Sequence, residues 1–175
     1  MARTWIKLES PQIALNAPNV KKFIMKYSLV VPNTMSPDQM FAKVPNDVKH
    51  LIFNCHGHQL PAPYLSIGTH IDSSHITGYP NPFVTLANIL TLRVIWISAC
   101  ALASSPAGEE IIKGIGNSSA CYVVSEVMAV PDVAVRANCI EDYSNSMPKY
   151  CDPDGNWMSR GDFFALGPKL GFGIA

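Results

Sequence analysis

Residues 51–57 read Leu-Ile-Phe-Asn-Cys-His-Gly, and residues 94–100 read Val-Ile-Trp-Ile-Ser-Ala-Cys. Each run opens with consecutive apolar side chains, which is typical of a strand buried on both faces of a sheet. A third apolar run covers residues 121–127. Helical patterns separate the three runs, and strands that alternate with helices indicate a mostly parallel sheet. We therefore predict one small α/β domain over residues 1–175.

Three segments between these strands have helical signals. Ser36 is a favourable N-cap for a short helix up to Lys43, with Pro37 at its first position. Residues 81–92 carry Phe83, Leu86, Ala87 and Leu90 at helical spacing, which predicts a crossover helix. A further helix is expected to start after Pro106 and to stop near Gly114 and Gly116.

Other parts of the chain give weaker patterns. Residues 20–31 end in a strand-like run that Pro32 stops, residues 64–68 indicate a short strand, and residues 151–156 indicate a turn. The apolar end of the chain, from residue 162 onward, is expected to pack on the sheet. His50, His70 and His75 are expected to be surface or capping residues.

His56 and Cys100 both follow a predicted strand, so both are expected at the carboxyl edge of the sheet, where α/β proteins bind ligands. A thiol attacks as its thiolate, and a neighbouring imidazole can hold it in that form. Gly57 has no Cβ to obstruct the approach of its N–H to a developing oxyanion. We expect the strand to end at Gly57, so that His58 points away from the site.

An apolar strand that ends in His-Gly, a crossover, and an apolar strand that ends in Ala-Cys resemble the caspase-like cysteine peptidases (clan CD). The resemblance is strongest over residues 48–130. It implies a three-layer sandwich with a mostly parallel central sheet, in which His56 and Cys100 are catalytic and the N–H groups of Gly57 and Cys100 form an oxyanion hole. The extended caspase sequence around the cysteine is absent. The region before His56 is short for this fold, which indicates that one strand–helix unit is missing or rearranged.

The same resemblance places the pocket for the residue before the cut partly in segments that follow the nucleophile strand. Residues 125–132 supply Glu126 and Asp132 and contain no basic side chain. Carboxylates in a partly buried pocket would favour an arginine or lysine of the substrate. The alternative is that Glu126 and Asp132 are ordinary charged residues of a loop with no role in substrate selection. Cleavage after aspartate would instead indicate Arg136 or Arg160.

Two other functions fit the residues. A protein of the same fold that has lost its activity would act as an interaction domain. His56 and His58 could also serve a zinc-dependent hydrolase, because histidine and cysteine are common zinc ligands. The residues that follow, Gln59-Leu60-Pro61, do not continue a known metallohydrolase motif. We therefore expect neither a metal nor another cofactor.

Composition limits the partners that we expect. The chain has 13 lysine and arginine residues and 13 aspartate and glutamate residues, so its charges balance. The sequence therefore gives no indication of a basic surface for nucleic-acid binding. No apolar run reaches the length of a membrane span and the first residues lack a secretory signal, so we expect a cytoplasmic protein that acts on a protein or peptide substrate. Its five cysteines, an odd number, are expected to be reduced.

Overall fold

The structure is a computed structural model and describes residues 3–11, 25–127 and 148–171. The strands of this part of the chain are β1 (Arg3–Glu9), β2 (Met25–Val30), β3 (His50–Asn54), β4 (His56–His58), β5 (Tyr64–Ser66), β6 (Ile71–Asp72), β7 (Val94–Ser98), β8 (Tyr122–Ser125), β9 (Lys149–Cys151) and β10 (Trp157–Met158). The helices are α1 (Pro37–Phe41), α2 (Ser74–Thr77), α3 (Phe83–Leu86), α4 (Pro106–Ser119), α5 (Arg160–Ala165) and α6 (Gly167–Leu170).

Seven strands form the central sheet, in the order β10-β9-β8-β7-β3-β1-β2. The five strands from β8 to β2 run parallel, whereas β9 and β10 are antiparallel to their neighbours. The mostly parallel sheet predicted from the sequence is therefore confirmed. The region before His56 supplies the strands β1, β2 and β3.

Both faces of the sheet are covered, because its strands are apolar on each side. One core contains side chains from α1, α3 and α4, among them Phe41, Phe83 and Ile112. The other core contains Trp96 from β7 and Phe163 from α5. The expected packing of the chain end on the sheet is confirmed for residues 162–171. No helix in the described ranges is long and apolar enough to cross a bilayer.

A second sheet begins directly after β3. Strands β4, β5 and β6 form it as consecutive antiparallel pairs. The expectation that the strand ends at Gly57 is wrong, since β3 ends at Asn54 and β4 passes through Gly57. Alternate side chains of a strand point to opposite faces, so His56 and His58 lie on the same face of β4.

The crossover helix predicted over residues 81–92 is mostly absent. Only α3 is helical, and the amides of residues 87, 88, 89 and 92 bond to carbonyls three residues earlier. The buried side chains are Phe83, Leu86, Ile89 and Leu92, whereas Leu90 is 81% exposed. This spacing of three matches tight turns better than the 3.6-residue period of an α-helix.

Helix α4 continues past both glycines at which we expected it to stop. Gly114 and Gly116 lie inside it, where they allow close packing. A Cβ on Gly114 would lie 2.0 Å from a methyl group of Ile76. The helix ends instead at Ala120, which adopts a left-handed conformation with φ of 56°. The Ser36 cap of α1 and Pro37 at its start are as predicted.

His50 is a buried residue, so its assignment to the surface is wrong. Its side chain stacks on Trp5 with ring centroids 4.2 Å apart. Its Nδ1 accepts a hydrogen bond from Trp96 Nε1 at 3.0 Å, and its Nε2 donates to the carbonyl of Leu170 at 2.6 Å. His50 therefore connects α6 to the central sheet as a neutral imidazole.

Replacing His50 with phenylalanine should destabilise the protein by about 2–4 kcal/mol, because two buried polar groups lose their partner while the aromatic packing remains. Urea unfolding measures this difference. The matched control is His75→Phe at a partly exposed position that pairs with Asp72, which should change stability by less than about 0.5 kcal/mol. Equal effects of the two substitutions would contradict a structural role for His50.

Candidate active site

The carboxyl ends of β3 and β7 bring the two sequence motifs together. These strands are parallel neighbours, with Asn54 opposite Ser98. The pairing continues one step further, since the amide of Cys55 donates to the carbonyl of Ser98 at 3.2 Å. His56 follows Cys55 directly, and Cys100 lies two residues after Ser98. Both residues of the proposed dyad therefore lie just beyond the paired ends of β3 and β7.

Gly57 lies directly against the main chain of Cys100. A Cβ on Gly57 would lie 2.3 Å from the carbonyl oxygen of Cys100 and 3.1 Å from its nitrogen. No side chain fits at such distances, so the close approach of the two segments requires glycine at this position. This contact is the most direct link between the His-Gly and Ala-Cys motifs.

His56 is partly exposed on β4, opposite Ser66 of β5. Its imidazole forms no hydrogen bond with Cys100 or any other residue within the described ranges. Catalytic hydrogen bonds are often long or misaligned without substrate and tighten only when substrate binds. The structure thus brings the two residues to one edge of the sheet.

His58 lies on the same face of β4 and belongs to a stack of three rings. Its ring stacks on Tyr64 with centroids 4.4 Å apart, and Tyr64 stacks on His70 at 4.8 Å. His70 reaches this position from a left-handed backbone conformation with φ of 79°. The ring of His58 is therefore held by Tyr64, in a structural contact that the sequence analysis did not predict.

The described cysteines differ in their exposure. Cys100 is partly exposed, whereas Cys55, Cys121 and Cys151 are buried. Burial raises the pKa of Cys121 and of Cys151 to about 11. Burial also raises the pKa of Cys55, and the nearby Cys100 acts in the same direction. The three buried thiols therefore stay protonated at neutral pH, and Cys139 lies outside the described residues.

The turn after Cys100 is fixed by contacts that sequence reasoning missed. Ala101 has a φ of 53°, in the left-handed region. Its carbonyl accepts hydrogen bonds from the Gln59 side chain and from the amide of Ser104. The amide of Ala103 donates to the carbonyl of Glu126 at 3.0 Å, which ties the turn to the end of β8. The sequence offers one signal for the contact between Gln59 and Ala101, which is that Gln59 lies three residues after His56.

Sequence reasoning also missed the buried carboxylate of Glu9, at the edge of the sheet where β1 and β3 end. Glu9 is 4% exposed. Its carboxylate accepts a hydrogen bond from Asn54 Nδ2 at 2.7 Å and forms an ion pair with Lys7 at 3.0 Å. Because Glu9 lies opposite Asn54 in the sheet, the side chains bridge β1 and β3 where both strands end. The contact fixes the end of the strand that leads to His56.

The residues predicted to select the substrate have different surroundings. Glu126 is completely buried, close enough to Tyr150 to influence the phenol. Burial raises the pKa of Tyr150; nearby Arg160 opposes this and Glu126 reinforces it. Arg160 lines a largely apolar cavity of about 650 Å³ together with Val127. Asp132 and Arg136 lie outside the described residues, and the preference for basic substrates stays a prediction.

A second cavity, of about 380 Å³, lies beside the hairpin that carries His56. It is lined by hydroxyl, amide and imidazole groups and by one glycine. These residues come from the loops after β1 and β2 and from β5 and the turn that follows it: Ser10, Asn33, Ser66, Gly68, Thr69 and His70. Ser66 is the cross-strand partner of His56, so this cavity is close to His56.

The described residues contain no group of three or more His, Cys, Asp or Glu side chains arranged to hold a metal ion. Comparisons with models of protein families and with curated proteins found no match to this chain.

Replacing Gly57 with alanine should destabilise the protein by about 1–3 kcal/mol, because the new methyl group displaces the main chain at Cys100. The rate at which iodoacetamide alkylates Cys100 should fall as well. Gly161→Ala is the control, since a Cβ there meets only the hydroxyl of Ser159 at 3.7 Å. That substitution should be neutral or stabilise α5 by up to about 1 kcal/mol. Unchanged stability and alkylation in Gly57→Ala would refute the contact.

Proposed function

We propose that this protein is a caspase-like cysteine peptidase that cleaves peptide bonds with Cys100 and His56. The contact between Gly57 and the Cys100 main chain carries the proposal, because it places the His-Gly and Ala-Cys strand ends against each other. The parallel neighbours β3 and β7 support it, since the family signature places its two motifs at the ends of such strands. Cys100 is also the most accessible of the described cysteines.

The reaction begins when His56 takes the proton of the Cys100 thiol. The thiolate attacks the carbonyl carbon of the scissile peptide, and the N–H groups of Gly57 and Cys100 stabilise the negative charge on its oxygen. The tetrahedral intermediate collapses as His56 gives its proton to the leaving nitrogen. The amine product departs and leaves a thioester on Cys100.

Water completes the cycle. His56 removes a proton from a water molecule, which attacks the thioester carbonyl, and the thiol of Cys100 leaves with that proton. The partly exposed imidazole of His56 suits both steps because solvent and substrate can reach it. The polar cavity beside Ser66 offers space for a side chain of the bound peptide.

The alternatives predict different behaviour. An interaction domain on the same fold would bind peptides without cleaving them, whereas a zinc hydrolase would lose its activity with a chelator. Two observations favour the thiol mechanism over the zinc mechanism. The ring of His58 is stacked on Tyr64, and no group of three ligands surrounds it in the described ranges.

Cys100 should be the first cysteine that iodoacetamide modifies at neutral pH, because the other described thiols are buried and protonated. Peptide mapping by mass spectrometry identifies the site. Cys100→Ala should abolish peptide cleavage and leave the unfolding transition almost unchanged. Earlier modification of another cysteine, or cleavage by Cys100→Ala, would rule out Cys100 as the nucleophile.

The two histidines of β4 provide the matched comparison for this experiment. His56→Ala should lower kcat by roughly 10²–10⁴-fold, the usual contribution of a general base. His58→Ala should lower it much less, because His58 contacts Tyr64 rather than the reacting groups. A chelator should leave the wild-type rate unchanged. Loss of activity with the chelator alone would transfer the assignment to the zinc mechanism.

Glu126 and Asp132 are proposed to favour substrates with arginine or lysine before the cut. A peptide library should then be cleaved mainly after basic residues, and Asp132→Lys should reduce this preference more than Asp154→Lys, a control in the exposed turn after β9. Cleavage after aspartate or glutamate would overturn the prediction and would indicate Arg160, which lines the apolar cavity.

A further inference from the structure

The turn that follows Cys100 has a conformation that its own sequence disfavours. Ala101 adopts φ of 53° and ψ of 15°, where the Cβ of an L-residue approaches the following carbonyl. Glycine would adopt this conformation without penalty, but the position holds alanine. Contacts from elsewhere in the protein must therefore stabilise the turn.

Two distant segments supply these contacts. Gln59 Nε2 donates to the carbonyl of Ala101, which is 42 residues away in the sequence. The carbonyl of Glu126 accepts a hydrogen bond from the amide of Ala103. The contact between Ala103 and Glu126 uses only main-chain atoms. Of the two contacts, only the one from Gln59 therefore depends on a side chain. Gln59 is also partly buried, which limits competition from water.

Gln59 follows β4 directly, and His56 and Gly57 belong to β4. Its hydrogen bond to Ala101 and the packing of Gly57 against Cys100 therefore join the same two segments at successive points. We propose that Gln59 is a positioning residue, which holds the left-handed turn at Ala101 and thereby fixes Cys100 relative to His56. This inference rests on the proposed function, because it assigns the turn a role in the reactivity of Cys100.

Gln59→Glu tests the proposal with almost no change in shape. The carboxylate cannot donate a hydrogen bond to the carbonyl of Ala101. The rate at which iodoacetamide alkylates Cys100 should fall about tenfold, the equivalent of one hydrogen bond. In peptide cleavage, kcat should fall by a similar factor with little change in KM. Gln39→Glu is the control, because Gln39 stands in the capping box of α1, which accepts either residue. That variant should react at the wild-type rate.

Ala101→Gly distinguishes positioning from a general structural effect. Glycine adopts the left-handed conformation without help, so the effect of Gln59→Glu on alkylation should shrink to less than about twofold in the Ala101→Gly background. Hydrogen exchange of the Ser104 amide should follow the same pattern, with faster exchange in Gln59→Glu and slower exchange in the double variant. An equal loss in both backgrounds, or a wild-type rate in Gln59→Glu, would overturn the proposal.

Failure of this proposal and failure of the proposed function give different results. If the protein cleaves no peptide but the alkylation and exchange effects appear as expected, Gln59 holds the turn and the peptidase assignment is wrong. If Cys100 depends on His56 for cleavage but Gln59→Glu leaves both rates unchanged, the peptidase assignment stands and Gln59 has no positioning role.

Discussion

The close packing of Gly57 against the main chain of Cys100 is the constraint on which the candidate site depends. A Cβ on Gly57 would overlap the carbonyl oxygen of Cys100, so only glycine allows the second sheet to start where it does. The hydrogen bond from Cys55 to Ser98 carries the parallel pairing to two residues before this contact on each segment. The site is therefore built mainly by main-chain geometry, and the two reactive side chains extend from it.

This geometry needs a rigid support, which the two cores of the central sheet provide. Side chains of β3 and β7 are buried on both faces, so neither strand can shift its register by one residue without exchanging its two faces. His50 adds a polar connection on one face, between Trp96 in the sheet and α6 at the end of the described chain. Glu9 and Asn54 join the ends of β1 and β3 on the same sheet.

The sequence was informative where a pattern depends on neighbouring residues. Apolar runs identified β3, β7 and β8, and Ser36 with Pro37 identified the start of α1. Prediction failed where packing between distant segments decides the structure. Gly114 and Gly116 looked like helix ends, but Gly114 gives Ile76 room to pack against the helix. His50 looked exposed because its partners, Trp96 and the carbonyl of Leu170, are 46 and 120 residues away.

The same distinction applies to the site. Its two motifs were visible in the sequence because each one follows an apolar strand. Gln59 was not, since its partner is a main-chain carbonyl after Cys100. The most direct test of the account is a crystal structure of the protein with a peptide aldehyde. The account predicts a covalent bond from Cys100 Sγ to the aldehyde carbon, with the imidazole of His56 and the N–H of Gly57 within about 3 Å of the reacting groups. A bound aldehyde away from Cys100, or His56 and Cys100 facing different clefts, would contradict it.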